Sequence, residues 1–150
     1  MPCTVPLLRY GTGTIIREGG REGAVKPTLD LRPIVHAILK EYALPLHGHH
    51  GVGHWARVLE NGLRLAKETG ASAEVVRLFA VFHDSRRINE VTDHGHGQRG
   101  ADLALRLRGN LFDLPDVEFD LLYRACAGHT TGRTDESITV RTCWIRTAWI

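Results

Sequence analysis

The chain has 150 residues, enough for one domain with a real core and too few for two. Hydrophobic residues make up 43% and charged residues 24%, and the formal net charge is +2, which gives no electrostatic reason to expect a nucleic-acid polymer or an anionic membrane as partner. No apolar run approaches the ~20 residues that span a bilayer. The N-terminus lacks the basic region and apolar core of a signal peptide. Cys3, Cys126 and Cys143 are scattered and odd in number, so a disulfide framework is not expected and a reducing, cytoplasmic location is.

In chain order, residues 1–27 are expected to form a flexible segment, broken by Gly11, Gly13, Gly19, Gly20 and Gly23 and punctuated by Pro2, Pro6 and Pro27, with at most a short hairpin over 10–16. Residues 28–150 form the expected helical domain. Thr28 or Asp30 can cap a first helix, whose stripe of Leu31, Ile34, Val35, Ile38 and Leu39 extends over 31–43 and stops before Pro45. The His/Gly segment 46–53 must be a loop. A second helix is expected from about 54 to 68 with Val58, Leu59, Leu63 and Ala66 buried, closed by Gly70. Ser72 caps a third, 73–84, whose apolar density marks it as central. A fourth covers about 97–108 with Leu103, Leu105 and Leu107 partly buried. A fifth covers 116–127 along Val117, Phe119, Leu121, Leu122 and Ala125. One more begins at Ile138 and runs towards Ile150. No strand alternation is sustained beyond the first residues, so the expected class is all-α, a compact bundle of about five to six helices.

Nine histidines are many for this length, and their positions on that scaffold are informative. His54 opens the second helix, His83-Asp84 ends the third, His96 opens the fourth and His129 ends the fifth. Helix termini are where a bundle can gather a site from several elements. Imidazole and carboxylate are the ligand pair of a divalent metal in a hydrolytic centre. His54, His83 and Asp84 are therefore expected to hold one metal ion, and His96 with His129 to engage a second.

The motifs resemble a known family. His54 followed by His83-Asp84 is similar to the HD domain of metal-dependent phosphohydrolases, in which a first His, a His-Asp pair and a distant C-terminal Asp hold a divalent ion. The segments His50-Gly51-Val52-Gly53-His54-Trp55-Ala56-Arg57-Val58, Phe82-His83-Asp84-Ser85-Arg86-Arg87, Asp93-His94-Gly95-His96-Gly97-Gln98-Arg99-Gly100-Ala101 and His129-Thr130-Thr131-Gly132 resemble, in order, four motifs of a small bacterial subgroup. The likeness covers about residues 46–144. It implies an HD-type helical domain and a phosphoric ester hydrolase whose metal-activated water attacks a small phosphorylated molecule or a nucleotide. The ligand types suit Mn, Fe, Zn, Co or Ni, and Mg less well, in one or two ions. Asp84, Arg86 and Arg87 are the expected catalytic residues. Arg86, Arg87 and Thr130 are expected to bind the substrate phosphate through forked and hydroxyl hydrogen bonds. For the arginines a structural ion pair is an equal alternative, and His129 with Thr130 can equally contact phosphate instead of metal.

Other polar residues carry less weight. His47, His49 and His50 are expected in an exposed loop, His94 in a loop beside the better ligand His96, and His36 within the first helix as a packed or surface residue. Arg99 is expected to pair with Asp93, Trp55 to line core or cavity, and Cys126 to pack as a small apolar residue.

The pattern breaks after Cys143-Trp144. The family resemblance implies a following run like Asp-Ala-Asp-Arg-Leu-Asp that supplies the last metal ligand, whereas the chain reads Ile145-Arg146-Thr147-Ala148-Trp149-Ile150. Written in GC-rich codons and restored by a single G after the Trp144 codon, that tail reads Asp-Pro-Asp-Arg-Leu-Asp. A one-base deletion, and hence a truncated domain with lowered stability and little or no hydrolytic activity, is the expectation, and resequencing across the Trp144 codon tests it. The alternative to an enzyme is accordingly a domain that binds metal or nucleotide without turning it over.

Overall fold

The computed structural model describes residues 27–147, and the expected flexible segment and hairpin before residue 27, like residues 148–150, lie outside them. The described chain is all-helical. Six helices follow one another: α1 (Arg32–Leu39), α2 (Val52–Thr69), α3 (Ala73–Phe82), α4 (His96–Leu107), α5 (Asp116–Gly128) and α6 (Ile138–Thr147). No described helix is long and apolar enough to cross a membrane.

α3 is the axis of the bundle because all its residues from Val75 to Phe82 except Arg77 are buried apolar side chains. Val75, Val76, Leu78, Phe79, Ala80, Val81 and Phe82 are all buried, as a helix with neighbours all round must be. It packs against α2, α4, α5 and α6. Ser72 caps it as expected: its hydroxyl accepts from the Val75 N–H at 3.4 Å and donates to Glu118 Oε1 at 2.7 Å, which ties the start of α3 to α5. α2 ends at Gly70 in the left-handed conformation (φ 77°), the stop that its position in the sequence suggests.

Three expectations change. α1 stops at Leu39 rather than near residue 43, because Tyr42 leaves the helical path to donate its hydroxyl to the His50 carbonyl oxygen at 2.9 Å and to meet the Trp55 ring edge-on at 5.2 Å. Its N-cap is Leu31, while Asp30 Oδ1 accepts the Arg32 N–H at 3.0 Å and so satisfies a first-turn donor from one residue further out. Leu105 and Val117 face solvent, 54% and 76% exposed, because their helices present one stripe to α3 and these two positions fall off it.

The end of α3 and the start of α4 approach unusually closely. A Cβ at Gly100 would collide with the Phe82 carbonyl oxygen, and one at Gly97 would collide with the Cys126 carbonyl oxygen and stand 2.9 Å from His129 Nδ1. Two glycines on one face of α4 therefore let it reach both the His83-Asp84 end of α3 and the His129 end of α5.

Candidate metal centre

Four of the expected site histidines and Asp84 meet at one point. His54 lies in the first turn of α2, His83 caps the C-terminus of α3, His96 is the first residue of α4 and His129 caps the C-terminus of α5. The carboxylate of Asp84 sits between them, and each oxygen faces its own pair of imidazoles. Oδ2 lies 3.4 Å from His54 Nε2 and 3.3 Å from His83 Nε2. Oδ1 lies 3.2 Å from His96 Nε2 and 3.7 Å from His129 Nε2. Within the pairs, the His54 and His83 Nε2 atoms are 3.1 Å apart and those of His96 and His129 are 2.9 Å apart.

The backbone decides what those nitrogens carry. His83 Nδ1 lies 3.1 Å from both the Phe79 and Ala80 carbonyl oxygens, His96 Nδ1 lies 2.6 Å from the Asp93 carbonyl oxygen, and His129 Nδ1 lies 2.8 Å from that of Cys126. A carbonyl oxygen only accepts, so each Nδ1 carries the hydrogen and, in the neutral ring, each Nε2 presents a lone pair. Two such lone pairs aimed at each other at 2.9 Å repel unless a proton or a metal ion stands between them. Two nitrogens each ~2.1 Å from one ion at ordinary coordination angles sit roughly 2.9–3.4 Å apart, so the observed spacing is that of co-ligands. The carbonyls fixing the tautomer are the outer partners that metal-binding histidines ordinarily have. The ligand atoms of Asp84, His96 and His129 lie within 4.8 Å of one another, as do those of His50, His54 and Asp84, so either group could hold a metal ion.

The electrostatics agree. Burial by itself would raise the Asp84 carboxyl, but in the metal-free protein protons on the surrounding imidazoles, His83 first and then His129, His50 and His54, hold it well below the ordinary carboxylate range, so it is anionic. Burial pushes the His129 imidazole down, against the opposing pull of Asp84, which favours the neutral ring that a metal requires.

His50 is the ligand-grade residue the sequence reading missed. It belongs to the centre, not to the exposed loop: its Nδ1 lies 3.0 Å from Asp84 Oδ2, and its backbone N–H donates to Glu90 Oε2 at 3.3 Å. The signal that could have found it is its place four residues before His54, one turn ahead of the first ligand. His47 and His49 are exposed as expected, His94 lies exposed in its loop, and His36 takes the surface rather than the packed alternative. Tyr42, pushed up to about 12 by burial and then by the charges of Asp84 and Glu90, stays a hydroxyl donor and anchors the His50 carbonyl.

The two arginines part company. Arg87 is buried, donates from Nε to Asp84 Oδ1 at 3.2 Å and lines the cavity over the cluster. Arg86, expected beside it, is elsewhere. Its guanidinium donates to the carbonyl oxygens of Ile38 and Ser85 and pairs with Glu41 Oε2 at 3.0 Å, which ties α1 to the turn after α3. Adjacent residues in that turn face opposite ways, so Arg86 does not reach the metal centre. The Arg99–Asp93 pair forms as expected, with Arg99 Nη2 2.6 and 2.7 Å from the two carboxylate oxygens. Asp93 also accepts the Ile88 N–H at 2.7 Å, which fixes the loop whose Asp93 carbonyl orients His96.

The cavity over the centre measures about 370 Å³ and includes Thr130, Gly132 and Trp144 in its wall. Trp144 donates its indole N–H to the Ala125 carbonyl oxygen at 3.0 Å, and a Cβ at Gly132 would collide with its ring. Thr130 is exposed at the rim, where its hydroxyl is accessible to a ligand.

Comparison with known proteins found no matching family model, no matching curated protein and no matching solved structure.

Proposed function

We propose that the chain is an HD-type, metal-dependent phosphohydrolase whose substrate is a small phosphorylated molecule or a nucleotide. The observation that carries the reading is the pair of inward-facing Nε2 couples arranged on the two oxygens of one buried carboxylate. His54, His83 and Asp84 would hold one divalent ion, with His50 beside them, and Asp84, His96 and His129 a second. Such ions, when bound, supply Lewis-acid polarisation of a phosphoryl oxygen and an acidified water. The donor set of imidazoles and one carboxylate suits Mn, Fe, Zn, Co or Ni better than Mg.

The protein's own residues divide the remaining work. Asp84 supplies the anionic charge and ties the two imidazole couples together. Arg87 neutralises and orients Asp84 through Nε while its guanidinium faces the cavity, where it can meet a substrate oxygen. Thr130 offers a hydroxyl at the rim. Arg86 has a structural part and no place in the chemistry. The buried free cysteines Cys126 and Cys143 fit a reducing cytoplasm.

A second reading, a domain that binds metal or nucleotide without turnover, draws on one observation. Asp84 is the sole carboxylate in the cavity wall among the described residues, so one negative charge faces two expected divalent ions. Metal analysis of untagged protein together with a phosphate-release screen across Mn, Fe, Zn, Co and Ni separates the readings. Bound metal with metal-dependent turnover that Asp84→Asn abolishes supports the enzyme. Bound metal without turnover supports the second reading, and protein that takes up no transition metal overturns both.

A further inference from the structure

A second cavity, about 350 Å³, shares only His54 with the cavity over the metal centre. Its remaining wall is His47, Gly48, His49, Gly53 and Arg57. Every side chain there that can carry charge is a base, and no carboxylate lines it. The imidazoles of His47 and His49 and the guanidinium of Arg57 form no side-chain hydrogen bond or ion pair with the described residues, whereas eight other arginines of the described chain are bonded or paired. Glu90 stands against Gly48 with Oε2 accepting the His50 N–H and Oε1 buried without a hydrogen-bond partner among the described residues.

The same wall includes the first turn of α2. That turn has no acidic residue, and its start is closed by backbone alone, the Val52 N–H donating to the Leu46 carbonyl oxygen and the His54 N–H to that of Gly51, each at 2.9 Å. An exposed forked cation and two N–H-bearing rings around a hollow of this size are the donor set of an oxyanion.

We propose that this cavity binds a phosphate-type oxyanion, gripped by Arg57 with His47 and His49. The group has two possible sources with one chemistry: free phosphate, or a second phosphoryl group on a substrate whose first lies at the metal centre. Only the second source rests on the phosphohydrolase reading, because anion binding here needs no metal.

The test uses the full chain stripped of metal, titrated at constant ionic strength with inorganic phosphate, inorganic pyrophosphate and, as control, chloride, and followed by amide NMR. The expected result is saturable movement of the Gly48 and Gly53 amide signals with phosphate and not with chloride. Arg57→Gln is expected to weaken binding roughly tenfold or more, and Arg57→Lys to restore part of it. Arg57 is exposed at the surface, so its replacement leaves the core intact. Pyrophosphate binding tighter than phosphate, with the difference lost in Arg57→Gln, assigns the site to a substrate's second phosphoryl group. Equal binding of the two assigns it to free phosphate. Shifts no larger than those of chloride, or binding unaffected by Arg57→Gln, overturn the proposal. Failure to find a transition metal in the protein would sink the phosphohydrolase reading and leave this result standing.

Discussion

At the scale of single residues, Asp84 holds the centre together because its two oxygens address two imidazole couples at once. Replacing it by Asn keeps the shape and removes the charge. Asp84→Asn is expected to lower metal affinity by at least ~100-fold, beyond what changes to outer partners cost, and calorimetric metal titration reads the loss directly. His96→Ala removes one member of the second couple only. It is expected to cut metal content towards one ion per chain while the His54–His83 couple keeps its own, and elemental analysis that still found two would contradict the assignment. Asp93 gives a prediction in pH. Burial would raise its carboxyl, but Arg99 and the Ile88 N–H hold it below the ordinary value of 3.8. A carboxylate with a depressed folded-state pKa stabilises above its unfolded pKa, and that contribution is lost as pH falls through the folded value. Asp93→Asn is therefore expected to cost ~1–2 kcal/mol near neutrality, allowing for the solvent exposure of Arg99, and to flatten the decline in stability below about pH 4. Chemical denaturation at stepped pH measures both.

At the scale of the helix, the site is made by termini, and termini meet only where helices can approach. The face of α4 that carries Gly97 and Gly100 allows that approach. Gly97→Ala would force its Cβ against the Cys126 carbonyl and the His129 ring, and overpacking of this kind costs about 1–3 kcal/mol. The variant is expected to melt earlier and to lose the second metal before the first, a pairing that thermal scans with and without added metal would reveal. α6 begins at Ile138 as expected, and it shows which buried faces a periodicity describes poorly. Its buried positions include Thr139 and Thr142 as well as Val140 and Cys143. Thr139 Oγ1 accepts the Ser72 N–H at 3.0 Å and the Thr142 hydroxyl meets that of Thr69 at 3.2 Å. Threonine counts as polar in a periodicity, so a face buried through hydrogen bonds leaves little stripe to detect. α3, dense in apolar residues and capped by Ser72, was legible for the opposite reason.

At the scale of the whole molecule, four helix termini and the residue after α3 converge on one point, so an ion held there would couple its binding to folding, since no unfolded chain keeps that arrangement. Metal at ~100 times its dissociation constant adds about 2.7 kcal/mol, and a domain of this size gains roughly 2–4 °C per kcal/mol. A chelator is therefore expected to lower the melting temperature by about 5–10 °C, and indifference to chelator would mean that no ion is bound to the native state.

The sequence alone determined the helical class, the centrality of α3 and the histidine order His54, His83-Asp84, His96 and His129, because these depend on local periodicity, capping and chain order. Tertiary structure alone decided which neighbours face inward. It put Arg87 over Asp84 and turned Arg86 to Glu41, drew His50 from its loop onto the carboxylate, and sent Leu105 and Val117 to solvent. The physical reason is that orientation in a turn or loop is set by contacts between elements distant in the chain, and a linear pattern holds no term for them.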